Sequence, residues 1–117
     1  MISAKRILIY GALGLVLTIA LIGVALAGEN GYGSGRTLYL NKCQICHGTH
    51  GDGKGPAGVS LTPKPRDFTR PSFWDGETAE IITKAVKDGS GPMPAFKFNS
   101  EETRAVIDYL TRAFKKP

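Results

Sequence analysis

Cysteine and histidine are scarce in this chain: among 117 residues there are two of each, and both cysteines fall between Cys43 and Cys46. A zinc centre would need two ligands beyond the cysteine pair, and His47 and His50 supply them only awkwardly. No run alternates apolar and polar residues, so there is no sign of a sheet, nor of the β-α-β setting that a thioredoxin-like Cys-x-x-Cys requires. Nothing repeats internally. Acidic residues are missing before Glu29, and the fifteen basic residues form no dense stripe. With Lys5 and Arg6 set aside, thirteen basic residues face ten acidic ones, an excess suited to ordinary solubility and too mild for a nucleic-acid binder. Glycine is plentiful, yet the spacing Gly-x-x-x-x-Gly-Lys-Ser/Thr of a phosphate loop is absent. Length is short as well, with room for one small domain and no second core.

What the chain does have begins with Ile7 to Ala27, twenty-one residues without a charge, preceded by Lys5 and Arg6. As a helix that stretch spans about 30 Å, the hydrocarbon thickness of a bilayer, and it exceeds the roughly 7 to 15 residues of a signal-peptide core. Ala25-Leu26-Ala27 nevertheless has the small-x-small form that signal peptidase cuts. Length favours a retained single-pass anchor, and the basic flank holds the N-terminus in the cytoplasm, so either fate exports the domain beyond Ala27. Residues 1–27 are therefore read as the anchor, 28–34 as a glycine-rich flexible linker, and 35–117 as the folded domain. Seven flexible residues reach only about 15 Å, so a tethered domain stays close to the membrane.

A domain of fewer than roughly 100 residues buries little apolar surface and needs an internal staple. Cys43-Gln44-Ile45-Cys46-His47 supplies one, since Cys-x-x-Cys-His is the pattern of covalent c-type haem attachment. Cysteines three apart on a helical turn project to one side and can reach two substituents of one flat ring, with the histidine beneath its centre. The expected first helix runs from Gly35 to His47, with Ser34 as N-cap and Leu38, Tyr39 and Ile45 available for burial. Five glycines between Gly48 and Gly58 mark a loop wrapping closely around a bulky group. Leu61 to Trp74, with three prolines and the rings of Phe68, Phe73 and Trp74, reads as irregular chain lining the haem pocket. Glu77 to Asp88 is a second helix with Ile81, Ile82, Ala85 and Val86 on one face, ended by Gly89. Ser100 to Phe114 is a third, capped by Asn99 or Ser100, with Val106, Tyr109, Leu110, Ala113 and Phe114 as its apolar stripe.

The sixth position on the iron separates electron transfer from ligand chemistry. Met93 in Gly91-Pro92-Met93-Pro94 lies between the second and third helices, where flanking prolines stiffen a non-helical stretch. His50, three residues past His47, sits on chain already committed to the proximal side. Most methionines merely fill core space, but beside the haem motif Met93 is the expected second ligand, and a thioether there favours ferrous iron and raises the potential.

From Gly35 to about Phe114 the chain resembles the class I monohaem c-type cytochromes. The resemblance rests on Cys43-x-x-Cys46-His47, on Met93 in its Met-Pro setting, and on Gly35, Tyr39, Pro56 and Tyr109. It implies an all-α small cytochrome c fold, three to four helices around one covalent haem c with iron, preceded here by one transmembrane helix. It also implies that Gly35 lets the first and last helices approach, and that the Pro56 carbonyl accepts the hydrogen bond of the proximal histidine. Cofactor-binding residues would be Cys43, Cys46, His47, Met93 and Pro56, with His47 and Met93 on the iron. The implied function is single-electron transfer without catalysis, by a domain on the periplasmic face of the inner membrane that serves membrane oxidoreductases or other cytochromes. A subunit fixed in a larger membrane redox complex, or a soluble periplasmic carrier released by signal cleavage, are the alternatives. Lys64 to Thr69 matches no part of the family pattern, and Arg66 or Trp74 on a haem propionate is no better supported than ordinary packing.

Overall fold

The computed structural model describes residues 4, 6, 10 and 31–117, and the chain divides into two compact units, Met1–Asn30 and Gly31–Pro117. In the first unit Ala4, Arg6 and Tyr10 are helical and exposed. Apart from Tyr10, the expected membrane segment from Ile7 to Ala27 lies outside the described residues, as does the linker over 28–30. Among the described residues no helix is long and apolar enough to cross a membrane.

The second unit is helical and, among the described residues, has no strand. Helix α1 covers 31–42 and passes through a turn at Cys43 into the short α2, Gln44–His47. Two 3-10 turns come next, Gly58–Ser60 and Pro71–Trp74, then α3, Thr78–Asp88, and α4, Ser100–Phe114.

Helix already present at 31–34 corrects two expectations: the linker does not extend to Ser34, and Ser34 is an internal helical residue and not a cap. Tertiary contact explains it. Tyr32 packs its ring 5.3 Å from that of Tyr109, and the Arg112 guanidinium lies 5.6 Å above its face. An aromatic pair contributes about 0.5 to 1.5 kcal/mol and a cation over a ring about as much, which offsets much of the roughly 1 kcal/mol that each helical glycine costs. Gly35 does what the resemblance implies. A Cβ there would overlap the Ala105 carbonyl oxygen of α4 and come within 3.0 Å of the Tyr109 Cβ, so any larger residue would push α1 off α4.

Tyr39, Phe68, Ile82, Val86, Val106, Tyr109, Leu110 and Phe114 form one buried cluster, with Tyr39 and Val106 fully enclosed. The Tyr39 ring packs at a tilt 5.3 Å from Tyr109 and 5.5 Å from Phe114, which ties α1 to α4. Helix α4 keeps its expected bounds because Asn99 and Glu102 form a reciprocal capping box: the Asn99 side chain accepts from the Glu102 N–H at 2.8 Å, and the Glu102 carboxylate from the Asn99 N–H at 2.9 Å. Its stripe differs at two positions. Ala113 is exposed and Ala105 is buried, since the contact with Gly35 draws the crossing toward the first half of the helix. Helix α3 starts one residue later than expected and ends at Gly89, whose φ of 76° admits few other residues. Its residues Ile82 and Val86 are buried, but Ile81 is 54% exposed. Ile81 and Ala85 face a cleft.

Candidate functional site

That cleft has a volume of about 1130 Å³, just above the roughly 300 to 1,000 Å³ typical of cofactor sites. Cys43, Cys46 and His47 line it, and so does Met93, more than forty positions away in the chain. Ile45, Val59 and Ile81, which are among the most exposed large apolar side chains, all line it too, so apolar surface that would otherwise be unexplained converges on one opening. A smaller apolar annex of about 70 Å³ also touches Cys43, His47 and Met93, with Phe68 and Leu110 behind. Of the rings expected around the pocket, Phe73 lines the cleft, Phe68 lines the annex and Trp74 lines neither.

The glycine-rich loop holds α2 in place. A helix leaves its last carbonyls unsatisfied, and here the loop returns to meet them: Ala57 N–H donates to Ile45 O at 2.9 Å, Gly55 to Cys46 O at 3.0 Å and Gly53 to His47 O at 2.9 Å. Side chains at Gly55 or Gly58 would overlap these same carbonyls, which explains glycine at both positions. The Tyr39 hydroxyl, itself buried, donates to Gly48 O at 2.5 Å and anchors the loop at its start. Burial pushes the Tyr39 phenol well above its ordinary pKa, so it stays a donor.

His47 points Nδ1 at the Arg66 carbonyl, 3.2 Å away. A carbonyl can only accept, so Nδ1 carries the proton and Nε2 keeps its lone pair free for a metal. Burial lowers the His47 pKa, opposed by the hydrogen bond to Arg66, and this favours the neutral ring that ligation needs. Pro56, expected as the acceptor, is exposed, and the carbonyl within reach of Nδ1 here is that of Arg66. The chain at 66–68 passes beside the imidazole and brings that carbonyl within reach. A backbone acceptor leaves no mark in the residue type, so no signal in the sequence pointed to Arg66.

Cys43 is held at a pKa of about 11, chiefly by burial and then by its neighbour Cys46. A thiol held that high stays protonated at neutral pH and is a weak nucleophile in exchange chemistry. Met93 sits on a tight turn in which Ser90 and Met93 exchange both backbone hydrogen bonds at 3.0 Å. Gly89 underlies it, since a Cβ there would approach the Met93 carbonyl oxygen to 2.8 Å. Phe96 N–H bonds to Val86 O at 2.8 Å and ties the turn to α3. His50 is exposed and lies outside the cleft, as its position in the chain predicts. Arg66 lines the cleft, whereas the Trp74 indole N–H is engaged by Phe68 O at 2.8 Å.

An apolar cleft with two adjacent cysteines, a neutral imidazole with a free Nε2 and a thioether on its lining fits a covalently attached haem. The family profile for cytochrome c oxidase, cbb3-type, subunit III matches residues 30–110. A curated relative from Synechocystis sp., described as cytochrome c-553-like, is 28% identical over 80 residues, which are 65% of this chain and 63% of the relative. The chain thus spans less than two thirds of that relative's length. No solved structure matches the chain.

Proposed function

The chain belongs to the c-type cytochrome family of cbb3-type oxidase subunit III, whose domain carries one covalent haem c with iron and transfers electrons, and on that premise we propose how its own residues serve that transfer. Cys43 and Cys46 would hold the haem through two thioether bonds, and His47 and Met93 would ligate its iron. Haem iron, when bound, supplies a one-electron couple. The chain supplies the rest. His47 presents Nε2 from a ring whose tautomer the Arg66 carbonyl fixes. The turn at 90–93, closed by the Ser90–Met93 pair of hydrogen bonds, would present the Met93 thioether from a fixed backbone. Ile45, Val59 and Ile81 offer apolar surface that the haem would cover.

The observation that carries this reading is the convergence of Cys43, Cys46, His47 and Met93 on one cleft. Its test is a pyridine haemochrome spectrum with an intact mass, expected to report one covalent haem, followed by Met93→Ala. That variant should keep its haem yet show a lower reduction potential, because a harder or missing sixth ligand stabilises ferric iron. An unchanged potential would remove Met93 from the iron.

The charge-free stretch from Ile7 to Ala27 behind Lys5 and Arg6 supports a membrane anchor, with the haem domain on the extracytoplasmic side. The profile's own description favours a second reading, a subunit held in an oxidase complex. Copurification with larger subunits after solubilisation would select it over a free tethered carrier.

A further inference from the structure

The stretch from Lys64 to Thr69, unmatched by the family pattern, makes two contacts with one side chain. Arg66 receives the His47 Nδ1–H, and Phe68 lays its ring on the imidazole with centroids 4.6 Å apart and planes only 13° from parallel. These constraints are different in kind. A single hydrogen bond fixes one atom of the ring, while the terminal torsion of histidine is broad and leaves the plane free to swing. A parallel aromatic face removes that swing.

Core filling alone does not require this arrangement. The other ring partners of Phe68 are Phe73, tilted at 55°, and Phe114, 23° from parallel but at the longer distance of 6.2 Å. Its backbone is held from both sides: Phe68 N–H donates to Gly51 O at 2.7 Å, and the Trp74 indole donates to Phe68 O at 2.8 Å. One residue earlier, the Asp67 carboxylate accepts from Thr69 Oγ1 at 2.6 Å and from Thr69 N–H at 2.9 Å. The phenyl ring therefore rests on a pinned strap that the glycine-rich loop and Trp74 both hold.

We propose that Phe68 is a positioning residue for the axial histidine, fixing by its stacked ring the plane in which His47 meets the iron. The inference rests on His47 being the iron ligand. Its test is proton NMR and electron paramagnetic resonance of the ferric holoprotein, since haem-methyl shifts and g-values track the orientation of axial ligand planes and do not track global stability. Phe68→Leu, which keeps an apolar group but removes the flat face, should retain covalent low-spin haem and change the order and spread of the methyl shifts. Trp74→Phe, which frees the Phe68 carbonyl, should change them in the same sense by less. Phe114→Leu removes a buried neighbour of Phe68 that does not touch the imidazole, and should lower stability with the wild-type shift pattern intact. A wild-type pattern in Phe68→Leu, or an equal change in Phe114→Leu, overturns the proposal. If Phe68→Leu does not hold haem, Trp74→Phe decides alone, and an unchanged pattern there overturns it. A wild-type protein without histidine-ligated low-spin iron sinks the ligand assignment first and this inference with it.

Discussion

Single residues in this protein act mostly through the backbone they hold. Asp67 is the clearest titrating example: its carboxyl is held below the usual range, first by the Thr69 hydroxyl, with the Thr69 N–H and Arg70 adding to it. A folded-state value below the unfolded one means that the ionised carboxylate contributes stability above the ordinary aspartate range of about 4, and that the contribution disappears as pH falls through it. Acid titration of thermal stability should therefore show a smaller loss for Asp67→Asn than for the wild-type protein between about pH 5 and pH 2, at the expense of a lower starting stability. Equal losses in the two proteins would mean that the Asp67 hydrogen bonds contribute nothing to the fold. Residues of this kind are hard to read in a sequence, since Asp67 and Thr69 look like any polar pair in a loop. Cys43, Cys46 and His47 are the opposite case, because three chemically special side chains at fixed spacing have almost no other use.

At the scale of elements, helices with clear end signals were legible and their partners were not. Asn99 with Glu102 announces the start of α4, and Gly89 the end of α3, because both act within a few residues of chain. The start of α1 could not be read in that way. Its glycines and Ser34 signal a linker locally, whereas Tyr109 and Arg112, nearly eighty residues on, hold Tyr32 in helix. The cap on α4 gives a direct check. Asn99→Ala removes the acceptor for the Glu102 N–H and should lower unfolding free energy by about 1 kcal/mol, whereas Asn99→Ser or Asn99→Asp should restore most of it. Chemical denaturation of the haem-loaded protein with an unchanged visible spectrum measures this, and a loss of spectrum in Asn99→Ala would show that α4 bears on the haem site directly.

For the whole molecule, the cleft and the core are two halves of one packing problem. The buried cluster is small, and a cleft of about 1130 Å³ opens beside it, lined by apolar side chains that only a bulky group can cover. Haem is that group, so its attachment belongs to folding as much as to function. Cys43→Ala and Cys46→Ala should each lose one thioether, lower the haem content of the purified protein and reduce its helical circular dichroism, and a well-folded variant free of haem would contradict this. The amino-acid sequence by itself determined the haem motif and the two later helices and singled out Met93 as the candidate second ligand, because each depends on residue type or on periodicity within a short span. Only the tertiary structure decided that the Arg66 carbonyl meets His47, that Phe68 stacks on the imidazole, and that Ile81 faces the cleft while Ala105 is buried. Those outcomes depend on which distant stretches of backbone come to lie together, and the chemistry of a carbonyl or the direction of a ring face is the same at every position until the fold chooses its neighbour.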